Sequence, residues 1–588
     1  MTLISNTKKI LLLAAINVLS LSATDVNFPT SIQKIGENIV AISNKGKSNV
    51  DLIDVQSGNV IKSIDLKFAP TGLANNKDYL FVTASDLQGV VYIISLQSGT
   101  VEAEIPVGMG ACSPVLSADG SKLYVCNRYK NSVSEIDLSS KKVTRTVDVL
   151  REPNNIVFSN DGKRMFVTNF LPAQRADVDE VASELSVVNT GDFKVEKNIR
   201  LANGSNALRG MCVTPDGKYV YVSHNLGRFQ VPTSQLQQGW MNTSAFSVID
   251  AEKLEYLGAV LVDEPERGAA GVWDIVCDND YIFITHSGTH EISKIDHKRF
   301  REKFESYPQK ENLSYDLHFL YGMRERIPVE GNGPRAMIYA NNALYIPTYF
   351  SDILNVYNVS SSTVTGLALN PDRVETNENK GERIFNDAMF CFQNWQSCNG
   401  CHPGEARTDG MNWDLMNDGV GNPKNCKSLL LSHVTAPNMI SGIRENAEIA
   451  VRAGFKFIQF HDVPEEDALS VDLYLKSLKP LKSPYLVEGE LSEEAKKGRK
   501  VFEKLSCDAC HSGHYYTDMK MHRIGDDIEF EQGWDTPTLI EVWRTAPYLF
   551  DGRAATLKSV FSEHKHGIKD KKVSDKEIDQ LVEYVNSL

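Results

Sequence analysis

The feature that most restricts the fold of this chain is a phrase repeated along residues 30 to 370. It runs as a short apolar strand, a polar gap and a second strand ending near an Ile-Asp or Val-Asn pair. The first strands read at 39–42, 80–83, 123–127, 165–169, 220–224, 282–286 and 344–348, and their partners at 50–54, 91–95, 133–137, 185–189, 246–250, 292–296 and 354–358. Asp119-Gly120, Asp161-Gly162 and Asp216-Gly217 precede three of them and place Gly where a hairpin-type turn needs positive φ. The repeats begin about 42 residues apart, stretching to about 60 in the later ones, which suits four strands per unit with insertions. A seven-bladed β-propeller is the natural closure. A sandwich or β-helix explains the recurrence less well. Insertions at 174–184, 227–243 and 297–330 are expected on one rim as an interaction surface, where Phe229, Trp240, Tyr315 and Tyr321 more often pack an insertion onto its own blade than bind a ligand. His224, His286 and His290 fall at or near strand ends, with no spacing diagnostic of a metal.

The last third has a different vocabulary. Cys398-Asn399-Gly400-Cys401-His402 and Cys507-Asp508-Ala509-Cys510-His511 each spell Cys-x-x-Cys-His, the attachment signature of c-type haem. Each thiol adds to a haem vinyl group, and the adjacent histidine faces the iron as proximal ligand. A bare Cys-x-x-Cys reads as a zinc knuckle or redox pair; the appended histidine, its recurrence and an export signal favour haem. That signal is Lys8-Lys9, an apolar run from Ile10 to Leu21, then Ser22-Ala23. The run is shorter than the about 20 residues of a membrane span, so a periplasmic protein without a membrane span is expected. The net charge of -14 leaves nucleic-acid binding unsupported, and a basic redox partner could be steered to it. Cys112, Cys126, Cys212 and Cys277 read as small buried side chains, whereas Cys391 and Cys426 flank the first motif and could pair in an oxidising compartment.

From 372 onward the chain is duplicated. Lys380-Gly381 with Phe385 matches Lys497-Gly498 with Phe502, and Thr435-Ala436-Pro437 leading to Gly442 matches Thr545-Ala546-Pro547 leading to Gly552-Arg553. Each copy ends on an amphipathic helix closing with Tyr474 to Leu478 or Tyr584 to Leu588. A linker at 479–490, with Pro480 and Pro484, separates them.

Two resemblances follow from these residues. Tyr124-Val125-Cys126-Asn127 and Phe166-Val167-Thr168-Asn169 resemble the YVTN family of bacterial seven-bladed propellers. The tandem haem motifs, with Thr545-Ala546-Pro547-Tyr548 and Asp551-Gly552-Arg553, resemble the bacterial dihaem cytochrome c peroxidase and MauG superfamily over residues 372–588. Asn412-Trp413-Asp414-Leu415 and Gly421-Asn422-Pro423-Lys424-Asn425 are similar to a MauG-like subgroup with YVTN propellers. The resemblance implies a multidomain fold: a signal peptide at 1–23, an all-β propeller at 24–371, and two all-α class-I cytochrome c domains at 372–480 (peroxidatic haem) and 481–588 (electron-transfer haem).

It also implies chemistry. The first haem would be open and react with hydrogen peroxide, and the second would exchange electrons with a small c-type cytochrome or another periplasmic donor. A protein substrate could sit on the propeller, and a Ca2+ ion between the haem-bearing copies. In the family the sixth ligand of the second haem follows the second Asp-Gly by about a dozen residues; the count from Gly552 reaches His564, with His566 two residues on. The same count from Arg444 as from Arg553 reaches Phe455, which cannot bind iron, so the first haem is expected to be open. His433 and His461 remain distal candidates, and Glu445, Glu448 and His433 are candidate proton carriers. The Trp that family peroxidases carry between the haems is missing from Met439-Ile440-Ser441-Gly442, which leaves Trp395, Trp413 or Trp543 for coupling. The expected function is an exported peroxide-dependent dihaem oxidoreductase. The alternatives are a dihaem dehydrogenase component and a non-enzymatic electron-transfer or partner-binding protein.

Overall fold

The computed structural model describes residues 26–86, 88–230, 241–415, 421, 423–524 and 531–588. The expected signal segment, Trp240 and Asn422 lie outside the described residues. Seven antiparallel sheets follow one another along the chain, from Pro29–Lys34 in the first to Thr363–Ala368 in the last. Six have four strands, and the fifth gains a short extra strand at Ser205–Asn206. The second strand of each blade is buried almost throughout, as in Lys122–Asn127, because it is covered on both faces by neighbouring blades. The outermost strands, such as Val60–Asp65, alternate toward solvent at the rim. Blade packs on blade: Tyr124, Cys126 and Val133 meet Ile156, Met165 and Val167. Ile32, Val40 and Ile42 of the first blade meet Ala343, Tyr345 and Leu354 of the last, which closes the ring. Gly120, Gly162 and Gly217 take φ of +70°, +69° and +72°, the turn conformation their Asp-Gly pairs announced.

The insertions divide: the described parts of the first two carry Val181, Phe229 and Met241 onto Met411 and Trp413 of the C-terminal half, whereas the third packs on its own blades. The helix His297–Ser306, capped by Asp296, buries Phe300 and Phe304 in the core of the fifth and sixth blades. Tyr321 stays 86% exposed, whereas Tyr315 lies under the guanidinium of Arg228. His224 and His286 are satisfied core histidines, each held by a backbone carbonyl and by Ser247 or Ser293. Burial lowers their pKa to about 4 and about 3. His290 pairs instead with Asp387 at 3.1 Å.

The C-terminal part corrects the expectation of two all-α domains. The molecule is mostly β, and each copy has only a few helices around irregular backbone. Each also contains a two-stranded ribbon, Asn412–Trp413 with Lys424–Asn425 and Met521–His522 with Trp534–Asp535. Between the haem motif and the later helices, Pro403, Gly404, Gly410, Pro423, Pro437 and Gly442 interrupt any helical register, so the backbone takes turns and ribbons instead. The duplication is nevertheless structural. Asn377–Phe385 crosses Glu465–Ser477, and Glu493–Lys504 crosses Asp575–Asn586. The crossings are close because Gly381 and Gly498 leave no side chain: a Cβ there would stand 1.9 Å from the Ser470 carbonyl oxygen and 1.8 Å from that of Gln580. Reciprocal backbone bonds join Asn438 to Arg444 in one copy and Tyr548 to Ala554 in the other.

Both copies lie against the propeller. The Arg544 guanidinium reaches Glu152 at 3.1 Å, Arg151 donates to the carbonyls of Arg544 and Ala546, and Lys45 pairs with Glu405 at 2.6 Å. Backbone bonds from Ala388 to Gly288 and from Ala176 to Gly552 add to the contact. Among the described residues no helix is long and apolar enough to cross a membrane.

Candidate functional site

Each Cys-x-x-Cys-His forms one tight turn, Cys398–Gly400 or Cys507–Ala509, that places the histidine back over the first cysteine. The His402 amide donates to the Cys398 carbonyl at 3.0 Å, and the His511 amide to that of Cys507 at 2.9 Å. His402 Nδ1 donates to the Arg407 carbonyl at 3.0 Å, and His511 Nδ1 to the Tyr516 carbonyl at 3.1 Å. Both rings are thereby fixed with Nε2 as the free acceptor, the state a metal ligand needs. Burial lowers the pKa of each, which keeps the rings neutral. In the first turn, Asn242 of the propeller donates to Cys401 Sγ at 3.2 Å and Gln459 to Cys398 Sγ at 3.0 Å. Burial pushes the Cys398 thiol up to about 12.

The two turns face different surroundings. In the first, the intervening Asn399 and Gly400 are buried, with Gly400 pressed against Asn242; in the second, Asp508 and Ala509 are exposed.

His566 stands opposite His511 with ring centroids 6.4 Å apart. This separation fits one metal ion shared by two imidazoles at roughly 2.0–2.1 Å from each nitrogen. Burial, then the neighbouring His511, lowers the His566 pKa to about 4. His564 instead leaves its Nε2 buried with no hydrogen-bond partner among the described residues.

The helix before this histidine differs between the copies: Ala447–Phe457 has 11 residues and Leu557–Ser562 has 6. The endings match. The His461 amide bonds the Phe455 carbonyl and the His566 amide that of Val560, after Phe460 and Lys565 at φ +50° and +51°. His461 therefore holds in the first copy the backbone place that His566 holds in the second, and its ring meets Phe390 edge-on at 5.6 Å. Phe455, reached by counting, is a core residue 1% exposed.

The other candidates are dispersed. His433 Nε2 lies 3.0 Å from Asp472, which also binds Arg452. Glu448 is close enough to feel His433 but pairs with Lys476 at 2.8 Å, and Glu445 is exposed. Asp409, which the motifs did not single out, is fully buried beside Cys401 and accepts from the Trp413 indole at 2.8 Å and the Met411 amide at 2.9 Å. Burial raises its pKa to about 7. Cys391 and Cys426 are not bridged; Cys426 Sγ sits 3.5 Å from His402 Nδ1. Trp395 is buried beside Gly268, and Trp543 packs edge-on to Tyr129 with its indole nitrogen buried and unpartnered. Cys510, Asp518 and His522 have ligand atoms within 4.8 Å of one another, a group that includes one of the expected haem thiols.

No family model matches the chain. It is 26% identical to hydrazine synthase subunit gamma of Kuenenia stuttgartiensis over 272 residues, covering 35% of this chain and 76% of that subunit. It is 23% identical to hydrazine synthase subunit beta of the same organism, covering 38% of this chain and 58% of that subunit. A seven-bladed β-propeller protein of Mycobacterium tuberculosis is 28% identical over 136 residues, covering 23% of this chain and 32% of that protein. Among solved structures, Kuenenia stuttgartiensis hydrazine synthase superposes with a TM-score of 0.51 at 21% identity, covering 60% of this chain and 98% of that one, a likeness of fold. The seven-bladed propeller is thus supported by blade count and by relatives alike. None of these relatives is named a peroxidase, so the peroxidase and MauG resemblance rests on its motifs alone.

Proposed function

We propose that this chain is an exported redox protein carrying two covalently attached c-type haems and acting in an oxidoreductase assembly. The observation that carries the reading is the His511–His566 pair, two half-buried neutral imidazoles with ring centroids 6.4 Å apart behind a Cys-x-x-Cys-His turn. Similarity to two hydrazine synthase subunits supports a role beside partner subunits.

Cys398, Cys401 and His402 would hold one haem, and Cys507, Cys510 and His511, with His566, the other. Bound there, the haems supply one-electron chemistry and an iron able to take a small ligand. The protein's own contribution is positional. The Arg407 and Tyr516 carbonyls orient the proximal rings, Asn242 and Gln459 fix the sulfurs of the first site, and Trp413 holds Asp409 in place as a buried proton carrier. The exposed Asp508-Ala509 edge is where an electron partner would dock, and the buried first site is where a small substrate would react. Hydrogen peroxide is the first substrate to test.

A second reading is favoured by His461: in the backbone place of His566 it could close the first iron, leaving an electron carrier. Spectra of the haem-loaded chain decide between them. A high-spin ferric signal from one haem, with carbon monoxide binding when reduced, supports the enzyme. Two low-spin haems inert to carbon monoxide and peroxide support the carrier. Absence of covalent haem on the purified chain overturns both.

A further inference from the structure

Under the C-terminal half, one end of the propeller channel carries an arc of cations and aromatic rings contributed blade by blade. Arg128 lies over Phe170 at 4.4 Å, Arg209 over Phe170 at 5.1 Å and Trp273 at 3.6 Å, and Arg335 over Trp273 at 4.1 Å and Tyr349 at 3.9 Å. Lys45 of the first blade completes it through Glu405, the second residue of the Gly404-Glu405 loop that covers this end. Lys45 and Glu405 keep 43% and 48% of their side-chain surface open, so they border a water-accessible space.

The carboxylates of this region are already engaged. Glu152 is shared by Arg128 and Arg544, Glu405 is held by Lys45, and Glu382 lies between Lys45, Arg335 and Tyr349. Arg335 donates to Ser287 and Asn386, both neutral. Arg209 is 8% exposed, and its guanidinium has neither a hydrogen bond nor an ion pair among the described residues. The charges nearest to it are Arg335 and Arg128, both positive, and with burial they depress its pKa. A desolvated cation among cations is retained at a large cost unless an anion completes it. The stacking of Trp273 and Phe170 on Arg209 leaves its edge N–H donors unused, and these donors are not sealed from the water-accessible space. An in-plane fork of N–H groups matches a planar oxyanion or carboxylate.

We propose that Arg209, flanked by Arg128 and Arg335, is the centre of an anion site at the propeller axis that takes one small planar oxyanion or carboxylate group. The group could arrive as a free anion or as a propionate of the haem on His402; the recognition chemistry is the same. The free-anion form does not depend on the proposed redox function.

The test uses the haem-loaded full chain, its Arg209→Met and Arg209→Lys variants, and sodium nitrate as probe against gluconate at constant ionic strength. A free-anion site gives saturable nitrate binding by calorimetry and a nitrate-dependent rise in unfolding temperature. Both should weaken at least tenfold in Arg209→Met and also in Arg209→Lys, which keeps the charge but not the fork. A propionate site gives no nitrate response, but Arg209→Met lowers the reduction potential of one haem and leaves the other unmoved. The proposal is overturned if nitrate binding survives Arg209→Met. It is also overturned if nitrate does not bind and neither potential moves in that variant. Should Arg209→Met fail to fold, Arg209→Gln, which also removes the charge, is read in its place for both nitrate binding and the two haem potentials.

Discussion

At the scale of single residues, His566 and His564 separate on what surrounds each ring. His566 faces His511 across 6.4 Å, whereas the Nε2 of His564 is buried without a partner among the described residues. His566→Ala should convert the second haem from low to high spin in the electron paramagnetic resonance spectrum, and His564→Ala should leave that signal in place. Asp409→Asn should retain both haems yet slow any peroxide reaction by about 10²-fold, the usual worth of a positioned proton carrier, measured by stopped-flow absorbance. The two Cys-x-x-Cys-His turns were legible because each is set by five consecutive residues. The distal residues were not legible by counting, since the first copy lengthens its helix where the second lengthens the loop after it, and chain position alone cannot tell these apart. Asp409 has no motif at all; its shifted pKa comes from burial that only the folded chain creates.

Among the elements, the paired helix crossings rest on two glycines. A methyl at Gly498 would meet the Gln580 carbonyl oxygen and the Tyr584 side chain within the crossing itself. Gly498→Ala should destabilise the second copy by about 1–3 kcal/mol through overpacking, read as a lowered urea midpoint. The Lys-Gly-x-x-x-Phe phrase made the repetition of this helix readable from sequence, as the Asp-Gly pairs did for three blade turns. The ribbons at Asn412–Trp413 and Met521–His522 were not readable, because two-residue strands carry no periodicity and owe their existence to packing.

For the whole molecule, the ion pairs in the join between propeller and duplicated half are invisible along the chain, since Glu152 and Arg544 lie 392 positions apart. Arg544, Arg128 and Arg151 hold the Glu152 carboxyl down to about 2 against burial, from an ordinary 4.5. A carboxylate with a lowered folded pKa contributes stability that is complete above about 4.5 and is lost as pH falls toward 2. Limited proteolysis should therefore find the two parts joined at pH 6 and separable as the pH drops from 4.5 to 2. A version with Glu152→Gln should separate more readily already at pH 6.

The unequal burial of the two attachment turns also sets an order in time. Asn399 and Gly400 are shut in, Gly400 against Asn242 of the fifth blade, while Asp508 and Ala509 remain in the open. An enzyme that modifies Cys398 and Cys401 has to reach them before the duplicated half settles on the propeller, whereas Cys507 and Cys510 stay within reach afterwards. On the proposed haem loading, maturation then has a deadline for one motif and none for the other, and a propeller that closes too early would trap a protein loaded only at its far end.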